Sequence, residues 1–358
     1  MKREFWAEFD LYRVVDKKGL VDYFVGRLPS PPIQELEQIQ DPIARYQLLA
    51  QLAAIDEEVS FLDAKGKERS VAVKDYARTG ALQYNEPSGL LFWYHASASN
   101  EQIDPRKTEG SFQEFLSDQL RRMQAVLGPT GFQTMAAQSL PDLSLFPSGA
   151  WTLGFLFTLR KPYLSKDDRE FTVLDNPVRK EWVFQVPYIA PSQWKGALRA
   201  AMRRLRGYTS WEQETHDKQM VRLFGNIKGE ESEFSAGWLH FYPTYFDRIG
   251  LEVINPHSRE TGAGTWPIYL ESVPVGTKGS FMLLYVPLRE VTEEEMRADF
   301  QAVAQGIKAM FTVYGFGAKT SSGFGRANVH WKKEEGAEIR PEDLWEEWER
   351  VWKDDPNG

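Results

Sequence analysis

Cysteine is absent from the 358 residues, which excludes disulfides and thiolate metal sites. Histidine is scarce as well: the five present are scattered, with no H-E-x-x-H and no paired spacing that would build a metal centre. No apolar run approaches the length of a membrane span, and the opening MKREFWAEFD lacks the apolar stretch of a secretory signal. A cytoplasmic protein without a membrane partner is therefore expected. Positive charge is in deficit too, with 43 Lys+Arg against 51 Asp+Glu for a formal net charge of −8. What the chain does have is apolar and aromatic content, 42% and 13%, enough for the cores of two domains or one large one.

Against that acidic background one segment stands out. Residues 151–210 hold 11 Lys+Arg and 5 Asp+Glu, a net +6, so the remainder of the chain carries −14. Charge segregated in this way marks a positive patch on an acidic protein, and a polyanion is its simplest partner. Within it lies PYIAPSQWKGALRAAMRRLR, residues 187–206. A short apolar run is halted by Ala190-Pro191, and Ser192 is placed to cap a helix. On that helix Trp194, Ala197, Leu198, Ala201 and Leu205 share one side, while Lys195, Arg199, Arg203 and Arg206 share another. A helix N-terminus with a hydroxyl and a lysine in its first turns suits phosphate oxygens. The plainer reading, a solvated basic face, stands beside it.

The rest of the chain sorts by periodicity. Alternation of Phe5, Ala7, Phe9 and Leu11 predicts a strand over residues 4–15, and Asp41-Pro42 opens a helix to about residue 55. Residues 59–62 and 70–73 flank DAKGKE as a hairpin, residues 89–94 read as a strand, and residues 111–127 as a helix with a Ser111/Glu114 capping box. Residues 128–149 read as a connector. From Trp151 onward the order is strand (151–160), basic helix, strand (237–242), strand-like stretches (268–273 and 279–287), helix from Thr292 and a closing strand (324–331). This β-α-β-β-α-β order predicts an α+β, ferredoxin-like (RRM-like) domain. The expected organisation is an additional N-terminal α+β region (1–149) that could be a degenerate second copy, the ferredoxin-like domain (150–332), and an acidic tail (333–358). Leu344, Trp348 and Trp352 suggest a short docking helix in the tail, with a frayed terminus as the alternative.

A second stretch carries chemistry: YGFGAKTSSGFGRA, residues 314–327. Gly315, Gly317, Gly323 and Gly325 permit positive φ and close backbone approach to a ligand, and Lys319, Thr320, Ser321 and Arg326 supply phosphate donors. It is not a P-loop, because Ala318 stands where that motif needs glycine before lysine. An ordinary glycine-rich link from helix to strand is the alternative.

These residues resemble a known family. GFGAKTSSGFGR is similar to the glycine-rich loop of the RAMP superfamily, the RNA-binding subunits of CRISPR–Cas systems, and PYIAPSQWKGALR to that superfamily's turn into its first helix, usually PYIPGSSLKGALR. Residues 174–179, LDNPVR, resemble the D-N-P-V segment of backbone subunits in type III effector complexes, and residues 251–287 the later core of the same domain. The resemblance covers roughly residues 151–331. Ala190-Pro191 and Gln193-Trp194 depart from the usual form, whereas Ser192, Lys195, Gly196 and Arg199 are kept. It implies a ferredoxin-like subunit that binds guide RNA (crRNA) in an antiviral ribonucleoprotein, with target RNA and other effector subunits as partners. The contacts it implies are Ser192, Lys195, Gly196, Arg199 and Arg203 on the helix, and Gly315, Gly317, Lys319, Thr320, Ser321, Gly323, Gly325 and Arg326 in the loop. It also implies Asp175 as the residue for metal-dependent cleavage of target RNA; a divalent ion such as Mg²⁺ enters only with that role, no other cofactor is expected, and its ligands stay unassigned. Two alternatives stay open: a stand-alone or precursor-processing RNA endonuclease using His216, His240, His257 or His330, and a non-catalytic interaction protein.

Overall fold

The computed structural model describes residues 11–39, 42–62, 65–83, 112–127, 140–166, 172–174, 176–226, 235–254 and 268–353. In chain order its main elements are α1 (Lys17–Phe24), α2 (Pro42–Leu52), β1 (Glu58–Leu62), β2 (Glu68–Ala72), α3 (Val73–Gln83) and α4 (Phe112–Leu127). They continue with β3 (Trp151–Leu159), β4 (Tyr188–Ile189), α5 (Pro191–Leu205), α6 (Trp211–Thr215), α7 (Lys218–Phe224), β5 (Leu239–Phe241) and β6 (Thr244–Tyr245). Last come β7 (Gly250–Ile254), β8 (Ile268–Ser272), β9 (Lys278–Tyr285), α8 (Glu293–Ala309), β10 (Ala327–His330), β11 (Glu338–Arg340) and α9 (Trp345–Lys353). Two compact units form, neither contiguous in sequence: Met1–Gln119 with Lys166–Val178 and Asp247–Ser272, and Leu120–Ser165 with Arg179–Phe246 and Val273–Gly358.

In the first unit the expected helix over 42–55 and hairpin are present as α2 and the antiparallel pair β1–β2. Of the strand expected over 4–15, Leu11–Arg13 form a 3-10 turn instead; residues 4–10, like the strand expected at 89–94, lie outside the described residues. Helix α1 has no counterpart in the periodicity reading. Asp16 caps it by accepting from the Gly19 N–H at 2.8 Å. Its buried Asp22 receives the Lys18 ammonium (2.6 Å), the Tyr76 hydroxyl (2.8 Å) and the Arg27 guanidinium (3.1 Å), which removes the cost of burying a lone carboxylate. The strand expected at 268–273 is β8, which pairs with β7 in a separate hairpin of this unit.

The second unit is built on an antiparallel sheet in the order β10-β3-β9-β5. Numbered by appearance in the ferredoxin-like core these strands run 4-1-3-2, and α5 and α8 follow the first and third of them, so the fold is α+β and ferredoxin-like. One sheet face is an aromatic core. Phe155 and Phe281 oppose each other across β3 and β9, with ring centroids 5.1 Å apart, and Phe157 and Phe281 both meet Trp194 of α5 edge-on. Trp151 meets Phe300 of α8 edge-on at 5.1 Å. The predicted stripe Met296, Phe300, Val303, Ile307 and Met310 is buried throughout. On α5 the expected core residue Leu205 is half exposed and Met202 is buried in its place, against Gly306 of α8.

Residues 333–353 are folded. β11 extends the β10 edge by pairing with β3, and α9 carries the buried Trp348, whose indole donates to the Trp331 carbonyl at 2.9 Å. Arg297 of α8 binds Glu293 (2.9 Å), Glu347 (2.7 Å) and Asp343, which ties α9 to the core. Among the described residues no helix is long and apolar enough to cross a membrane.

Candidate nucleic-acid interface

Helix α5 starts two residues earlier than a Ser192 cap predicts. Ala190 is the N-cap, Pro191 takes the first helical position where its missing N–H costs nothing, and Gln193 Oε1 accepts from the Ala190 N–H at 2.9 Å. The Gln193 and Trp194 N–H groups both donate to the Ala190 carbonyl. Ser192 is thus relieved of capping and lies exposed. Its neighbour Lys195 is half buried with no acidic partner among the described residues. Burial and the nearby Arg199 cation both push its pKa down. Gly196 faces open space, with nothing within 4 Å of where a Cβ would stand.

The arginine stripe is not a free cationic face. Arg199 and Arg203 both bind Glu214 of α6, whose side chain is 1% exposed, the Arg203 pair at 3.2 Å. Arg206 binds Asp217 and the Gln219 side chain. These acids lie eleven to fifteen residues further along, on short helices folded back over α5, so helical spacing within α5 does not reveal them. Arg199 and Arg203 therefore hold α6 and α7 in place, and Lys195 is the member of the stripe with no carboxylate partner among the described residues.

In the glycine-rich loop three glycines answer to packing inside the chain. A Cβ on Gly315 (φ +79°) would stand 2.4 Å from the Phe324 carbonyl oxygen. One on Gly317 (φ +87°) would meet the Leu164 carbonyl at 2.4 Å, and one on Gly325 (φ +69°) the Phe316 carbonyl at 1.8 Å. Gly323 faces open space. Lys319 is exposed and adopts the left-handed conformation (φ +56°), a backbone state that costs a non-glycine residue about 1–2 kcal/mol. It has no acidic partner among the described residues, and Thr320 and Ser321 beside it form a 3-10 turn at the surface.

The two motifs meet. Trp194, fully buried, stands 4.8 Å from Phe316 and donates from its indole to Thr244 Oγ1 at 3.0 Å. Tyr163 lies between them: its hydroxyl is 3.4 Å from Gln193 Oε1, its ring 5.9 Å from Phe316, and burial pushes its pKa up to about 12. Backbone bonds from Ala318 to Leu164 (2.7 Å) and from Gly325 to Pro162 (2.9 Å) fix the loop to the segment after β3. One rigid aromatic block therefore carries both the first turn of α5 and the Lys319 loop. The profile of the RAMP superfamily matches residues 144–328, just over half of the chain's 358 residues. The chain belongs to the RAMP superfamily.

Among curated proteins, this RAMP chain is 25% identical over 166 residues to the CRISPR system Cms endoribonuclease Csm3 of Streptococcus thermophilus, covering 43% of this chain and 73% of that protein. Among solved structures, it aligns with a chain of the type III-B Cmr-beta complex bound to cognate target RNA, at a TM-score of 0.43 and 15% identity over 90% of this chain and 89% of the other.

Asp175 lies outside the described residues. The residues that follow it are anchored to β8: the Asn176 carbonyl accepts from the Glu271 N–H at 2.9 Å, and the Val178 N–H donates to Glu271 Oε2 at 3.0 Å. Among the described residues no three His, Asp or Glu side chains come together to hold a metal ion. Of the histidines, His216 Nδ1 lies 2.8 Å from the Glu212 carbonyl oxygen and His330 Nε2 lies 2.9 Å from Thr158 Oγ1. His257 is outside the described residues. His240 has a neighbour that spacing does not disclose: its pKa is pushed down by burial and by the Lys195 ammonium.

Proposed function

We propose that this RAMP protein is a guide-RNA-binding subunit of a type III CRISPR effector ribonucleoprotein, holding RNA by its phosphate backbone. The observation that carries this is the pairing of Lys195 and Lys319, two cations without acidic partners among the described residues, on one rigid block with the exposed Ser192 and Ser321 and the partly exposed Thr320 around them. Gly196 adds to it. A glycine inside a helix costs about 1 kcal/mol relative to alanine, and no neighbour within the described residues requires its small size. A molecule approaching from outside supplies that reason. Backbone contacts of this kind give affinity without base preference, which suits a guide whose sequence is read by pairing. Arg199 and Arg203 act here as positioning residues, because their guanidinium groups are engaged by Glu214.

The relative's name, an endoribonuclease, supports a second part of the proposal, that Asp175 contributes to target RNA cleavage inside the assembled complex. A loop whose following residues, Asn176 and Val178, are both bonded to Glu271 is a suitable mount for one carboxylate. A bound divalent ion would polarise the phosphate, and a single carboxylate on this chain would orient the attacking hydroxyl.

The test is purification of the tagged protein from its host followed by sequencing of RNA that comes with it. Guides of defined length, together with further effector subunits, are expected, and Lys195→Gln with Lys319→Gln should reduce RNA recovery several-fold. Recovery of folded protein without RNA from a host expressing guides would overturn the reading. In the purified complex, Asp175→Ala is expected to abolish target cleavage while leaving guide content unchanged.

A further inference from the structure

The sheet face opposite the aromatic core is covered at one end and open at the other. On β3, Thr152 and Gly154 are buried, whereas Leu156 and Thr158 are partly exposed; on β9, Leu284 is buried, whereas Ser280 and Met282 are partly exposed and Lys278 is exposed. Strand register places these on the same face, since Phe155, Phe157 and Phe281 between them point into the core. The Thr158–His330 contact at 2.9 Å confirms the face for β10.

Cations gather at the open end. Thr158 sits between Lys278 on β9 and Asn328 on β10 in one cross-strand row. One step further the ladder continues past the strand ends, with the Arg160 and Lys161 N–H groups both donating to the Arg326 carbonyl at 2.8 and 3.1 Å. Arg160, Lys161 and Lys278 are exposed. None of the three, nor Arg326, has an acidic partner among the described residues, and the buried Nε of Arg326 makes no hydrogen bond there. The sequence accounts for this isolation. None of the chain's 51 acidic residues falls in residues 151–164, 273–288 or 311–333, the three segments that converge at this end of the sheet. Four cations with no acidic partner among the described residues repel one another, which a polyanion relieves.

We propose that this open sheet end, with Arg160, Lys161, Lys278 and Arg326, is a second phosphate-binding strip onto which RNA held at α5 and the glycine-rich loop continues. The inference rests on the RNA-binding reading above. Arg326 terminates the same loop that presents Lys319, and the loop is bonded to Pro162 and Leu164, so the two cationic sites are ends of one structure. Among the described residues the exposed part of this face carries Leu156, Thr158, Ser280, Met282 and Asn328, with one ring, His330, in contact with Thr158, so it suits phosphates better than a row of stacked bases.

The experiment measures binding of a fluorescein-labelled single-stranded RNA of mixed sequence to the full chain by anisotropy, over a series of KCl concentrations. Each cation that no longer neutralises a phosphate of a single strand lowers the slope of log affinity against log salt by about 0.7. The double variant Arg160→Gln/Lys278→Gln is therefore expected to lower the slope by about 1.4 and weaken binding several-fold. Arg350→Gln, an exposed cation on α9, is expected to change neither. Circular dichroism confirms folding of each variant. An unchanged slope in the double variant, with binding still weakened by Lys195→Gln/Lys319→Gln, overturns the strip and keeps the RNA reading. An equal effect from Arg350→Gln reduces the strip to bulk charge and overturns it. Failure of every variant to alter binding removes the RNA reading and the strip together.

Discussion

Removing Arg199 distinguishes a structural arginine from one that grips RNA. In the folded chain Arg199 and Arg203 share the carboxylate of Glu214, whose side chain is 1% exposed, while the two arginine side chains are 22% and 34% exposed. Arg199→Ala leaves that buried carboxylate with half its counter-charge. Breaking a fully buried pair from one side costs about 3–5 kcal/mol. Arg203 remains at 3.2 Å and water reaches both cations, so solvent screening reduces the expected loss to about 2 kcal/mol. With a urea dependence of about 2 kcal/mol per molar, the unfolding midpoint should fall by about 1 M. The loss should appear as faster hydrogen exchange in residues 211–224, the segment that Glu214 fastens to α5. RNA binding, measured where the variant is folded, should keep its salt dependence, because no phosphate-binding cation has been removed. An unchanged urea midpoint combined with a salt slope lowered by about 0.7 would refute this reasoning, and would mean that Arg199 leaves Glu214 for a phosphate.

Gly196→Ala should raise stability by about 1 kcal/mol, since a Cβ there meets nothing, yet lower RNA recovery; a thermal melt and a pull-down measure the two, and a stabilised variant with full RNA content would remove Gly196 from the interface. Gly325→Ala should disrupt the loop, losing roughly 3 kcal/mol or more to strain and to contact with the Phe316 carbonyl, whereas Gly323→Ala should cost only about 1 kcal/mol of backbone strain; urea unfolding of both should show the difference, and equal losses would contradict the loop geometry. His240 binds its proton less tightly when folded than when unfolded, so its contribution to stability is intact above about pH 6.5 and is lost as pH falls from there through the folded-state pKa. Lys195→Gln removes one cause of that shift, so His240 should titrate at higher pH by NMR, and so should wild-type protein when RNA is added; an unmoved titration in the variant would separate the two residues.

Much of the second unit was legible because its signals are local. The stripe from Met296 to Met310 repeats at helical spacing and is buried as a stripe. Strand β3 and the two family motifs are each continuous in sequence, and their order alone carries the ferredoxin-like topology that the sheet order 4-1-3-2 displays. Elements whose evidence is short or non-local were missed. Helix α1 is only eight residues long and interrupts its apolar pattern with Asp22, a buried carboxylate made tolerable by Tyr76, fifty-four residues away. Residues 268–273 look like a strand of the main sheet because a β pattern specifies a face and not a partner; their partner is β7.

The interface shows the same limit more sharply. Helical periodicity assigns Lys195, Arg199, Arg203 and Arg206 to one face and is right about the face, but a face is not a charge. Whether a guanidinium is available depends on acids brought to it by the fold, and Glu214 and Asp217 arrive from helices that no spacing rule within α5 can see. In the glycine-rich loop the fold adds a reason for the glycines that the sequence does not show. Gly315, Gly317 and Gly325 read as places for a ligand's close approach, yet each is occupied by a carbonyl of the same chain, so the loop's rigidity, and not its openness, is what these glycines supply. Rigidity is what holds Lys319 in a costly left-handed conformation at the surface. The informative pattern was a depletion: three segments free of acid, distant in sequence, which have no meaning until the sheet brings Arg160, Lys278 and Arg326 to one end. A search for acid-free segments, followed by the topology that unites them, locates a cationic surface that a search for basic stripes does not reach.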